Sequence, residues 1–580
     1  MKLKKSFMIL LTIILAFSMV LAACGQNDAG KADNKSGNTD SKDGDKKAAE
    51  PKEGGTLVAG LQSDSGFEGL LERGFYSGSP DDYILNFMMD NLFKYDDELK
   101  VQPHIAEWDT KDNQTYTFKF KEGVKWHNGE ELTVEDWKYA LEVIAHKDYE
   151  GPRYTNVETI KGAEEYKKGK AKEISGIKVI NDYEIEITFI EPRVNHIENI
   201  WSYPMPRKHY EGIAVKDLSK SPKVRKEPIG LGPFKVKKVQ GNEYVEMERF
   251  DDYWQGKPKL DKLIVKVVDP SLVAGALKNG EIDYMDVAPF QLEELSKLDN
   301  IEVHDVPDVS YWFVGFKFGH WDKKEGKAVM DNKKFQNKDL RKAMLYAIDR
   351  EALIKAYLFD KAKVLNTVIP SNHWIAADPS ELEDYKYDPE KAKELLAKAG
   401  YKDVNGDGFV EDPDGKEFKI SFSAHAKDST YEGRAQQLLQ NWKDVGLNVE
   451  LNSGKLLDFD LMGEMKDKDD PSIELYLAGW QTGADPDPTG LWASNAFWNH
   501  PRWVNEESDT LLKEALGKKA MEDENYRKDT YVKWQKLMNE ELPVLPLWEP
   551  VDLLAMNKRV HGPHIGLGTD TKLHEWFVSE

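Results

Sequence analysis

A chain of 580 residues with one cysteine, 103 acidic against 80 basic side chains and a formal charge of −23 is excluded from several functional classes at once. A single thiol rules out disulfides, thiolate zinc sites and iron–sulfur clusters, and so large an acidic excess argues against nucleic acid and anionic lipid surfaces as partners. One hydrophobic core stops growing near roughly 250–300 residues, so two large lobes are expected.

In chain order, Lys2, Lys4 and Lys5 precede an apolar run from Phe7 to Val20 broken only by Thr12 and Ser18. Leu21-Ala22-Ala23-Cys24-Gly25 follows. About 14 to 17 apolar residues are short for a bilayer span of roughly 20, and the charged, apolar and small-residue regions together read as a secretory signal. The end of the pattern resembles a bacterial lipobox. It predicts a signal peptide over 1–23 and a diacylated Cys24 that holds the mature chain, with a formal charge of about −26, on the outer face of the cytoplasmic membrane. Residues 24–53 are a polar tether without an aromatic side chain; such a segment cannot bury enough surface to fold and spans roughly 30 Å as a coil.

A strand is expected at 54–60 (GGTLVAG) and a helix from Tyr83 to Phe93. Alternation at period two from Tyr116 to Lys121 predicts a half-buried strand. Residues 122–129 (EGVKWHNG) read as strand plus turn. Thr133, with Asp136 three residues on, caps a helix from Val134 to Ala145. Alternation resumes from Ile177 to Phe189 around Asn181-Asp182, and Glu243 to Met247 and Leu263 to Val268 read as strands. Helices are expected over Leu340 to Leu358 and Pro389 to Ala399, the latter with Asp388 as N-cap, Pro389 at the first position and Gly400 after its end. Mixed strands and helices without a 20–50-residue repeat predict an α/β, mixed α+β protein and exclude a solenoid.

Catalytic patterns are absent. Ser175 and Lys178 match S-x-x-K on an apparent strand without a partner motif, and neither Ser63 nor Ser65 has the glycines of a nucleophile elbow. Gly230-Leu231-Gly232 runs into Pro233, so it is no dinucleotide loop, and no H-E-x-x-H occurs. Asp403, Asn405, Asp407 and Gly408 have the spacing of half a calcium loop, with Glu411 and Asp414 at the ninth and twelfth places; the same Asn-Gly and Asp-Gly pairs make a strand-joining turn unaided. No metal or cofactor is assigned.

Six blocks resemble, in order, the bacterial extracellular solute-binding proteins of family 5: YTFKFKEGVKWHNGEELTVED (116–136), PIGLGPFKVKKVQGNEYVEMERFDDYW (228–254), LKNGEID (277–283), DLRKAMLYAIDRE (339–351), YDPEKAKELLAKAGYKDVNGDG (387–408) and GWQTGADPDPTGLW (479–492). Length and the AGYKDVNGDG stretch are more similar to the longer oligopeptide-binding branch of Gram-positive bacteria than to the dipeptide branch. The resemblance implies a two-lobed clamshell of the type II periplasmic-binding-protein fold with a cluster-C-like inserted subdomain. Lobe I would span 54–308, with 75–228 inserted, lobe II 309–545, and 546–580 would return to lobe I. The chain would cross near Val309 to Trp312 and near Leu545 to Trp548. It further implies a monomeric, non-enzymatic receptor that captures oligopeptides and delivers them to ABC permease subunits; a different solute on the same fold is the alternative.

An extended peptide needs backbone partners and a counter-charge for its ammonium, which strand addition and a carboxylate in a closed cleft supply. By the resemblance, Gly479, Trp480 and Gln481 form the strand that pairs with the peptide, and Asp485 or Asp487 holds the amine, Asp485 being favoured; a Pro-rich turn in which both aspartates cap local backbone is the alternative. Tyr76, Ser77 and Gly78 would supply the second strand partner and Trp312 would stand at the cleft mouth, against plain surface-loop and hinge-packing readings. Trp480 and Trp492 are either pocket walls or core aromatics.

Overall fold

The computed structural model describes residues 52–63 and 66–579; Cys24, the signal and almost all of the tether lie outside them. The first strand, Thr56–Gln62, runs parallel to Lys262–Val268, which pairs antiparallel with Tyr244–Arg249, and that strand in turn with Phe234–Gln240. Their inward residues Leu57, Ala59, Val245, Met247, Leu263 and Val265 are fully buried and share a core with Val560, Trp576 and Val578 from the far end of the chain.

Residues between Leu70 and Leu231 build a separate core. Its four-stranded antiparallel sheet orders Ala106–Thr110, Thr115–Phe120, Glu184–Thr188 and Ile177–Asn181. Tyr116, Phe118 and Phe120 point inward while Lys119 is exposed, the expected alternation. Trp137 and Leu141 of the helix Val134–Ile144 pack beneath them, and the Thr133 N–H donates to Asp136 Oδ2 (3.0 Å) in the capping box.

The largest core draws on Tyr311 to Trp548. Here the helix expected over Leu340 to Leu358 is two helices, Lys338–Tyr346 and Arg350–Tyr357. Asp349 makes the break: its side chain accepts from the Ala352 N–H and starts a new N-terminus. The helix expected over Tyr83 to Phe93 is displaced to Ser79–Met88, because Pro80 fits its first turn, and Phe93 opens a short strand instead. Residues 122–129 form a turn with one bridge, Lys125 to Glu131, rather than a strand. Pro389–Lys398 begins at Asp388, whose carboxylate accepts from the Lys391 N–H, and stops before Gly400 at φ +93°.

Two strand lines join these bodies. Ile301–Pro307 leads through Asp308 and Val309 into Ser310–Phe316. Beside it runs the 14-residue crossing strand Val544–Asn557. Its first half pairs with Ser310–Phe316 and its second half with Ile301–Pro307 and Tyr284–Asp286. At the crossing, buried Glu549 accepts from the Ser371 N–H and hydroxyl, and Asn372 Nδ2 donates to the Asp308 carbonyl.

Candidate functional site: an open strand edge and an acidic junction

The strand Leu475–Gln481 is antiparallel to Ser310–Phe316 along its whole length. Its other side meets Lys419–Ser423 only through Leu475 and Tyr476. Beyond Ser423 the chain turns away, with Leu457 N–H donating to Ala424 O and Ala426 N–H to Leu457 O. Among the described residues, then, no strand pairs with Leu477 to Gln481 on that side. The Thr482 N–H donates to Val309 O (3.1 Å). This sets the phase of the antiparallel ladder: Leu477, Gly479 and Gln481 aim their N–H and C=O groups at the vacant side. A hollow of about 700 Å³ lies there.

Aromatic rings wall this hollow on both faces of the sheet. Gly479 pairs with Trp312 on one face, and a Cβ at Gly479 would come within 3.1 Å of the indole, so any larger residue would have to shift that ring by a few tenths of an ångström. Trp312 stacks on His425 (6.2 Å, 24°) and meets Tyr431 edge-on (6.0 Å). Phe459, 65% exposed, stands against His425. On the opposite face Trp480 stacks on His500 (6.0 Å, 18°) and meets Trp498, 48% exposed. Burial, aided by Lys466 and other nearby cations, holds His425 down to about 4 and His500 to about 2. Both imidazoles are therefore neutral walls at neutral pH.

Asp485 and Asp487 line a second hollow of about 930 Å³, bounded also by Thr155, Arg193, Asn195 and Asn199 of the 70–231 body. Asp485 Oδ2 accepts from Asn195 Nδ2 (2.9 Å) and Asn199 Nδ2 (2.6 Å), and Arg527 Nη2 lies 3.5 Å from its Oδ1. Asp485 thus joins the two bodies directly. Asp487 caps locally, accepting from the Thr489 N–H and hydroxyl, while the Tyr531 hydroxyl lies 3.5 Å away. Glu198, on the short helix His196–Asn199, is pushed up to about 7 by burial and by the Asp485 charge. Asp487 is pushed up to about 6 by burial and the same neighbour. Arg527 is the guanidinium these three carboxylates share, since Arg193 at the same hollow pairs with Glu191 (2.6 Å).

The other expected residues separate. In the loop before Ser79–Met88, the Tyr76 carbonyl accepts from Arg153 Nη2 (3.2 Å) and the Gly78 carbonyl from the Asp82 N–H; Ser77 is exposed. Trp492 is 2% exposed and packs edge-on against Phe313, a core aromatic and no pocket wall. In the 403–414 loop Asp403 accepts from the N–H groups of Gly406 and Gly408, and Glu411 from Val404 N–H and Asn405 Nδ2. The loop's carboxylates close its own turn, and among the described residues no cluster of three or more His, Cys, Asp or Glu could hold a metal. His425, Tyr431, Phe459, Trp498, His500, Glu198 and Arg527 were not anticipated; each lies outside the six sequence blocks, and only the fold brings it to its site.

The model of the bacterial extracellular solute-binding proteins, family 5, matches residues 100–499. The chain belongs to this family. It is 28% identical over 573 residues to the oligopeptide-binding protein AppA of Bacillus subtilis (strain 168), covering 97% of this chain and 96% of that protein. It is 29% identical over 483 residues to the oligopeptide-binding protein OppA of Lactococcus lactis subsp. lactis (strain IL1403), covering 81% and 80%. Lactococcal OppA, solved with an endogenous peptide in the closed conformation, superposes with a TM-score of 0.77 at 26% identity, over 90% of this chain and all of that one. The fold is the two-lobed clamshell of these binding proteins, and as a family 5 member the chain is a solute-binding protein rather than an enzyme.

Proposed function

We propose that this chain is a lipid-anchored receptor, at the outer face of the cytoplasmic membrane, that captures oligopeptides between its lobes and delivers them to an ABC permease. The observation that carries the capture step is the vacant edge at Leu477 to Gln481. Its unpaired N–H and C=O groups can add an extended peptide without regard to side-chain identity. The names of the relatives supply the solute class. In this reading Gly479, Trp480 and Gln481 hold the backbone, with Trp312 against it, and Tyr76 to Gly78 approach from the other lobe through Ser77.

The ammonium of the peptide is assigned to Asp485. One guanidinium among three carboxylates leaves room for a second cation, and an ammonium there would exchange for the Asn195 and Asn199 contacts. Affinity near −8 kcal/mol, about micromolar, suffices for capture. Lipidation rests on Cys24 and the residues before it.

Mass spectrometry of ligands carried through purification tests the solute: a spread of peptides of similar length is expected, and a single defined non-peptide compound would overturn the reading. Cys24→Ser should release a folded, ligand-competent protein into the medium; retention of that variant at the cell surface would refute the anchor while leaving the cleft intact.

A further inference from the structure

The vacant edge has walls on both faces of the sheet, and they differ in sequence origin but not in chemistry. Trp312, His425, Tyr431 and Phe459 form one; Trp480, Trp498 and His500 form the other. Successive side chains of an added strand point to opposite faces. Two neighbouring ligand residues would therefore enter two different walls, whereas residues one apart would enter the same wall.

Both walls suit bulky apolar groups. The histidines are neutral and offer ring faces; the charged groups of the hollow are Lys427, Lys466 and Asp467, the last 2.9 Å from His500 Nε2. Phe459 and Trp498 leave large apolar surfaces in solvent at the rim of the hollow, and apolar surface grouped around a cleft marks a contact surface awaiting a partner. Aromatic rings prefer edge-to-face or offset partners. The existing pairs are arranged that way: Trp498 stands at 76° to Trp480 and Phe459 at 74° to His425. Each leaves an indole or phenyl face open to a further ring or branched chain.

Resting on the peptide reading, we infer that this receptor is selective within peptides: it reads an adjacent pair of bulky apolar residues, one held by the Trp312–Tyr431–Phe459 wall and the other by the Trp480–Trp498 wall. Backbone pairing is sequence-blind, so the pair sets both the register of the bound peptide and the preference among peptides.

Calorimetry on ligand-stripped mature protein tests this with three hexapeptides: Ser-Ser-Phe-Leu-Ser-Ser, Ser-Phe-Ser-Leu-Ser-Ser and Ser-Ser-Ser-Ser-Ser-Ser. The adjacent pair should bind on the order of 10-fold tighter than the spaced pair of identical composition, and 10- to 100-fold or more tighter than the serine peptide, since burial of each large side chain contributes about that factor. Phe459→Ala and Trp498→Ala remove exposed rings and should leave the fold intact. Each should erase most of the advantage of adjacency. Equal binding of all three peptides, or an adjacency advantage untouched by both variants, would overturn the paired-wall inference while leaving peptide capture standing. Failure to bind these and a mixed peptide pool would overturn capture itself, and the inference with it.

Discussion

The two hollows of the cleft are built on opposite principles. The groove at Leu477 to Gln481 is largely aromatic, with Lys427, Lys466 and Asp467 also in its lining, and open at the backbone. The junction at Asp485 is charged, crowded with carboxylates and closed by contacts between two bodies. One recognises extended backbone and apolar side chains; the other recognises charge. Their separation implies that grip and end-recognition can be broken independently, and the following tests use that.

The largest effect is expected from Gly479→Val. Its Cβ would meet the Trp312 ring near 3.1 Å and its branches would crowd the vacant edge. Overpacking of this kind costs about 1–3 kcal/mol, so peptide affinity should fall up to ~100-fold, equally for free and N-acetylated peptides, by calorimetry. Unchanged affinity would sink strand addition at this edge.

Asp485→Asn should be smaller and selective. Loss of a charge-assisted contact of about 1.5–3 kcal/mol should weaken free-amine peptides roughly 10- to 100-fold and leave N-acetylated ones near their starting value. Equal losses for both would mean that Asp485 joins the bodies without touching the ligand.

The smallest effect is a slope with pH. Glu198 and Asp487 are raised above their ordinary values, so the empty junction holds protons that free carboxylates would have released. A group raised in this way disfavours the arrangement progressively as pH climbs from its ordinary value to the raised one, here from about 4 to 7. A bound ammonium draws both back down and expels those protons. Affinity for free-amine peptides should therefore increase several-fold between pH 5 and 7.5, with proton release visible as a buffer-dependent heat. N-acetylated peptides should show neither. A flat profile for the free amine would place the ammonium elsewhere.

Much of the local structure was legible because its causes are local. Thr133 with Asp136, Asp388 with Pro389, and the alternation at Tyr116 to Phe120 each carry their own geometry within a few residues. The split at Asp349 was missed because a continuous apolar pattern hides a capping aspartate that acts on its own side chain's terms. Trp480 and Trp492 could not be told apart by type. One lies on an unpaired edge and the other is the single buried residue at the end of a short helix, Thr489–Trp492, and only the tertiary fold decides that. The junction was half visible: Asp485 stood in a motif, whereas Glu198 reaches it from nearly 300 residues upstream and Arg527 from a separate helix 42 residues downstream.

The crossing strand Val544–Asn557 and its neighbour line run between the bodies as a hydrogen-bonded ribbon, widened at Trp548 to Pro550 by Ala362–Val364 on the far side. A hydrogen-bonded ribbon is stiff within its own plane and compliant only across it. It acts as a flexure with one soft direction, so opening and closing should follow a single arc without sliding or twisting freely. Under the proposed delivery to a permease, a receptor closing along one arc would present different outlines when full and empty, by which loaded copies could be sorted before any ligand is exchanged.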